Sequence, residues 1–222
     1  MTRLLPEWAP HERMWIGFPA LREEWGEAFE AARVQIADMA SALGDDGAGE
    51  TVTLVCATEG DARVARELVR QHVDVIVERL GDAWLRDTGP IVTGSGATRR
   101  AVDFRFNGWG GKYAMPGDED IGERLAWREA LPVDRQNWIL EGGAIDWDGE
   151  GRVVTTEQCL LNINRNPLLS KDDVERHLAE SLGLNEVLWL GNGLHGDHTD
   201  GHVDNLARFV GPGRLLLPVA SG

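Results

Sequence analysis

One stretch of this chain concentrates groups that can move protons and hold cations: His195-Gly196-Asp197-His198-Thr199-Asp200-Gly201-His202-Val203-Asp204-Asn205. Three of the six histidines and three carboxylates crowd into it. Carboxylates so close together repel one another unless they face a cation, a metal or a reacting substrate. The chemistry expected here is acid/base work beside bound positive charge.

A guanidinium is one cation that would answer to this pattern. It is planar and permanently charged, and its fork of N–H donors matches aligned carboxylates. Asp87, Glu141 and Asp204 each stand beside glycine or in a polar loop, and His202 lies two residues before Asp204. Alternation along an extended segment would put His202 and Asp204 on one side. A neighbouring carboxylate would raise the imidazole pKa and prepare it for proton transfer. Each residue alone has a plainer role. Asp87 could pair with Arg86, Glu141 could satisfy donors of the Gly142-Gly143 turn, and a lone histidine is usually structural. The combination of four is what favours a site.

A metal is the competing answer. His195, His198 and His202 with Asp197, Asp200 and Asp204 could ligate zinc or a similar ion and support a metal-dependent hydrolase. Gly196, Thr199 and Gly201 disfavour the helix that a His-Glu-x-x-His site needs, so the expectation is no metal and no cofactor. Phosphate-loop and nucleophile-elbow patterns are absent from the sequence. Gly108-Trp109-Gly110-Gly111-Lys112 imitates a phosphate cradle, but no obvious helix follows it. Among the nine tryptophans, Trp84 and Trp109 sit in polar glycine-bearing motifs and are the two expected near a pocket.

Positioning these groups calls for an α/β framework. Helical periodicity runs from about Glu27 to Leu43, with Phe29, Ala32, Ile36, Met39, Ala40 and Leu43 on one face and Gly44 as the stop. Further helices are expected near 61–71 and 118–130, and from Ser170 to Gly183, where Ser170 and Asp173 have capping-box spacing. Apolar runs at 51–56, 73–77, 138–140 and 187–190 read as strands. Ile91–Thr93 with Arg100–Phe106, and Ala144–Trp147 with Arg152–Thr156, read as hairpins. The polar motifs fall where strands end, as catalytic loops commonly do. No linker-like segment divides the chain, so a single domain over 1–222 with a coarse structural repeat is expected.

Composition removes other classes. With 37 acidic against 22 basic residues, the formal charge of -15 argues against nucleic acid as a partner. It would suit a small cationic ligand. No apolar run approaches membrane-spanning length, and Met1–Trp8 lacks a signal peptide's apolar region, so neither a membrane nor secretion is indicated. Cys56 and Cys159 read as buried thiols of a reducing, cytoplasmic setting.

The motifs resemble a known family. Met14-Trp15-Ile16-Gly17-Phe18-Pro19, Trp84-Leu85-Arg86-Asp87-Thr88-Gly89-Pro90, Phe106-Asn107-Gly108-Trp109-Gly110-Gly111-Lys112-Tyr113, Glu141-Gly142-Gly143 and Asp200-Gly201-His202-Val203-Asp204-Asn205 look like the agmatine deiminases of the bacterial-type peptidylarginine deiminase family. The resemblance implies the pentein fold, an α/β propeller of five ββαβ units, and hydrolysis of agmatine to N-carbamoylputrescine and ammonia. It implies that Asp87 and Asp204 hold the guanidinium, that Glu141 assists, and that His202 is the general acid/base. Trp84, Asn107 and Trp109 would complete the substrate-binding set, and homo-oligomerisation is left open.

Family members also carry a nucleophilic cysteine in a glycine-rich motif near the carboxyl terminus. Neither Cys56 nor Cys159 stands in such a motif, and the sequence ends at Leu215-Leu216-Leu217-Pro218-Val219-Ala220-Ser221-Gly222. The expectation is therefore a truncated chain holding three units and part of a fourth. A non-catalytic guanidinium-binding homologue is the second reading.

Overall fold

The computed structural model describes residues 4–219. Met1–Arg3 and Ala220–Gly222, the outermost parts of the two terminal segments read above, lie outside the described residues. The chain is mixed α/β and divides into two compact units, one of residues 10–85 and 115–121, the other of residues 4–9, 86–114 and 122–219.

In the first unit, β1 (Met14–Gly17), β2 (Val52–Cys56) and β3 (Val73–Val77) form a parallel sheet in that order. β2 is the central strand and is buried on both faces, which explains its uninterrupted apolar run. Parallel neighbours need crossovers, supplied by the helices Phe29–Gly44 and Glu59–Leu68. The first helix buries Phe29, Ala32, Ala37 and Ala40 and also Arg33. Met39, expected on that face, is exposed. The apolar stripe is centred one residue further round, where the Arg33 guanidinium stacks over Phe29 and bridges Asp61. The second helix ends at Leu68, three residues before the expected 71, because Val69 is already extended.

The second unit repeats one motif. β4 (Ile91–Thr93) pairs antiparallel with β5 (Arg100–Arg105), and the helix Ile121–Arg128 leads to β6 (Val133–Ile139), parallel to β5. Next, β7 (Ile145–Trp147) pairs antiparallel with β8 (Arg152–Thr156), and the helix Lys171–Leu182 leads to β9 (Glu186–Leu190), parallel to β8. A further antiparallel pair follows, β10 (Arg208–Gly211) and β11 (Arg214–Leu216). The expected 118–130 helix runs only from Ile121 to Arg128, and at its C-terminal end Ala130 turns left-handed at φ +52°.

Helix Lys171–Leu182 shows how the repeat is held. Ser170 and Asp173 close a reciprocal capping box, Gly183 ends the helix in the left-handed region, and Val174, Leu178 and Leu182 face inward at four-residue spacing. They join Val102, Trp138, Ile145, Val153 and Leu160 in one core. Fully burying a side chain such as Leu178 stabilises the fold by roughly 1.5–3 kcal/mol.

Candidate active site

The second unit enters an antiparallel pair three times, and each entry carries a site residue. Asp87 sits on the helical turn Leu85–Thr88 before β4. Glu141 precedes the turn Gly142–Ala144 before β7. His202 and Asp204 flank and occupy the turn Val203–Asn205 before β10. The segment is a tight turn, not the extended run expected, so alternation is not what aligns His202 with Asp204.

These side chains meet at Gly143. A Cβ on this residue would lie 2.6 Å from Asp87 Oδ1, 2.6 Å from His202 Nδ1 and 2.7 Å from Asp204 Oδ2. On Gly142 it would lie 2.1 Å from the Arg86 carbonyl oxygen. Two side chains are thus missing where the chain passes closest to the site. The Gly143 N–H donates to Asp87 Oδ1 at 2.8 Å, and the Trp109 indole N–H donates to Asp87 Oδ2 at 2.9 Å. With both oxygens held, Asp87 has one orientation. Arg86 is not its partner, because that guanidinium bridges Glu7.

Trp109 is itself buried and adopts φ +52°, uncommon for a residue with a side chain. Asn107 accepts from the Gly110 N–H and donates to the Asn164 carbonyl oxygen. The glycine-rich segment 107–111 therefore folds into a strained helical turn that aims an indole at a carboxylate. Trp84 belongs to the other unit, where it is about half exposed and stacks on Trp25 at 6.0 Å.

His202 and Glu141 are almost completely buried. His202 Nδ1 is 3.6 Å from Asp87 Oδ1, and Nε2 is 3.9 Å from Glu141 Oε2. Among the described residues, neither Nε2 nor that carboxylate oxygen has a hydrogen-bond partner. Burial alone would lower the imidazole pKa, but the Cys159 sulfur, Glu141 and Asp87 reverse this and carry it up to about 10. Burial also raises the Cys159 thiol, against the lowering effect of His202 beside it. Asp204 is raised by burial and, despite His202, by the nearby Asp87. A site with buried anions that resist ionisation gains from a bound cation.

The other carboxylates of the histidine-rich stretch serve the fold. Asp197 accepts from the Thr199 hydroxyl and from the backbone N–H groups of Gly201 and His202. Asp200 accepts from Lys112, Asn164 and Arg165. Burial would raise both pKa values, and these donors lower them instead. Nor do the three histidines gather: His195 is exposed, and His198 Nδ1 engages the Tyr113 hydroxyl at 2.9 Å. Among the described residues, the one group with ligand-like proximity is Glu141, Cys159 and His202. There the Arg165 guanidinium already contacts Glu141 Oε1 at 2.8 Å, a permanent cation beside the carboxylate that a metal would need. Sequence reasoning passed over Arg165, and it read Cys159 as a buried thiol, as found, without placing it beside His202. The turn-rich stretch Asn162–Pro167, with a single basic residue, was the available signal for the first.

The chain is similar to known proteins along most of its length. The family model for Porphyromonas-type peptidyl-arginine deiminase matches residues 3–222. An agmatine deiminase of Pseudomonas aeruginosa is 40% identical over 97% of this chain and 60% of its own length. One from Medicago truncatula is 37% identical over 95% and 59%. The agmatine deiminase of Enterococcus faecalis superposes with a TM-score of 0.89 at 31% identity, covering 96% of this chain and 59% of its own. A C. jejuni agmatine deiminase with substrate bound gives 0.85 at 31%, covering 95% and 62%. This chain thus spans about three-fifths of the length of those relatives. Matched along almost all of its sequence, it belongs to the Porphyromonas-type peptidyl-arginine deiminase family.

Proposed function

We propose that the chain is the guanidinium-binding part of an agmatine deiminase, within one deiminase domain of the family's propeller fold. The observation that carries this reading is the convergence of Asp87, His202 and Asp204 on Gly143, with Glu141 beside the imidazole. Two of the relatives that match this chain are named agmatine deiminases, and a solved one holds substrate.

In this reading Asp87 and Asp204 accept the guanidinium N–H donors in paired hydrogen bonds. The central carbon of the group stays electrophilic because the charge is retained. A thiolate adds to that carbon, His202 gives its proton to the departing nitrogen, and ammonia leaves a thiouronium. His202 then takes a proton from water, which attacks the same carbon and releases N-carbamoylputrescine and the thiol. Glu141 and Asp87 keep the imidazolium available for the first step. The thiolate is assigned to the glycine-rich cysteine motif of the family. Cys56 ends β2 buried, its thiol pushed up to about 12 by burial and then by Asp61, and Cys159 is likewise buried and neutral.

Agmatine fits better than arginine. A free or peptide-linked arginine would need donors for its carboxyl or carbonyl group, and the Asn107-Gly108-Trp109-Gly110 segment offers no arginine. The excess of acidic residues also suits a ligand with two positive ends. The test is titration calorimetry of this chain with agmatine, arginine and putrescine. Agmatine should bind at least tenfold more tightly than the other two, and Asp204→Asn should abolish the difference. Equal affinity for agmatine and arginine would overturn the assignment.

A further inference from the structure

Arg165 lies on the turn Asn162–Arg165, and its side chain is completely buried. Its Nε–H donates to Glu141 Oε1 at 2.8 Å. Nη1 donates to Asn164 Oδ1 at 2.9 Å and to Asp200 Oδ2 at 2.5 Å, and Nη2 donates to the Thr199 carbonyl oxygen at 2.8 Å. Four of its five N–H groups are therefore committed. Three of the four are shared between the residue that faces the imidazole and the two residues that lead into Gly201-His202, and the fourth holds Asn164 of its own turn.

We infer that Arg165 is a positioning residue, which acts through Glu141 and the Thr199-Asp200 turn to set how His202 meets the guanidinium. A buried carboxylate without a cation is costly and takes up a proton. Arg165 supplies that cation and uses only one oxygen, Oε1. The other, Oε2, has no hydrogen-bond partner among the described residues and faces His202 Nε2 at 3.9 Å. The same guanidinium ties the Thr199 carbonyl and Asp200 together just before the histidine. Asp200 has φ +65°, a backbone state a side-chain-bearing residue rarely keeps without such restraint. Lysine cannot reproduce the arrangement, since its single ammonium cannot reach four acceptors in a fixed fork.

What Glu141 contributes to substrate binding rests on the agmatine deiminase reading, so the test has two arms. In the first, agmatine affinity is measured for the wild-type chain, Arg165→Gln, Glu141→Gln and the double variant. Arg165→Gln should weaken binding about tenfold alone and less than twofold in the Glu141→Gln background. Equal losses in both backgrounds would overturn action through Glu141.

The second arm needs no ligand. The ring resonances of His202 are recorded by NMR and compared with those of His72 and His177. Arg165→Gln and Arg165→Lys should move the His202 signals and leave the other two in place. Unchanged His202 signals in either folded variant would refute the inference. If the wild-type chain fails to bind agmatine, the functional reading falls while this second arm still decides the role of Arg165. If neither Arg165 variant folds, the Arg165 Nε–H resonance is followed in Glu141→Gln, and its failure to shift counts against the proposal.

Discussion

The backbone N–H of Gly143 and the carboxylate of Asp87 are joined by a 2.8 Å hydrogen bond, and the space a Gly143 side chain would occupy is filled by Asp87 Oδ1, His202 Nδ1 and Asp204 Oδ2. Gly143 is therefore as much a part of the site as the groups around it. Gly143→Ala should weaken agmatine binding by about 100-fold or more, equivalent to about 2.8 kcal/mol. Calorimetry of a variant shown to be folded by circular dichroism checks this, and an affinity within threefold of wild type would contradict the geometry.

Binding should release protons. His202 is held mainly in its charged form, and the Asp204 carboxyl is raised. A guanidinium arriving beside Asp204 favours its carboxylate, so the raised carboxyl sheds its proton while Glu141 and Asp87 keep the imidazolium. Calorimetric enthalpies at about pH 4.5, close to the ordinary carboxyl range, compared in buffers of different ionisation heat, should reveal net release. Net uptake would contradict the charge assignments.

The same imidazole links stability to pH. Its pKa in the folded chain is about 10 against an ordinary value of 6.5. The stabilisation from His202 is complete below about pH 6.5 and fades as the pH rises towards 10. The difference in unfolding midpoint between the wild type and His202→Gln should therefore narrow across that window. A difference that widens with pH would show the sign to be wrong.

Both cysteines should resist alkylation in the folded protein. Each is buried with a raised thiol pKa, and only the thiolate reacts readily. Iodoacetamide at pH 8 followed by intact-mass analysis should leave native protein unlabelled and add two groups after denaturation. Rapid labelling of Cys159 in the native state would make it a rival nucleophile.

Elements with strong local signals were legible in the sequence: the capping box at Ser170, the glycine stop at Gly183, both hairpins and the apolar run of β2. Their boundaries follow from short-range chemistry. The set Asp87, Glu141, His202 and Asp204 was legible because each sits in a glycine-bearing loop before a strand. What joins them was not, because Gly143 contributes by lacking a side chain and Arg165 acts from a distant turn. Nor could sequence spacing separate Asp197 and Asp200, which accept structural donors, from Asp204. Carboxylates look alike until their donors are known. Asn107 and Trp109 stood out by motif, yet their contacts lead to the backbone and to Asp87.

Trp109 carries a consequence for mutational tolerance. Its left-handed backbone costs about 1–2 kcal/mol for any residue with a side chain, a penalty glycine would remove. Glycine would also empty a buried indole site, at roughly 3–5 kcal/mol, and leave Asp87 Oδ2 without its donor. Phenylalanine would fill most of the space but could not donate. A saturation library at position 109, selected for agmatine capture, should thus return tryptophan alone. Backbone handedness, core volume and ligand charge are all specified there by one codon.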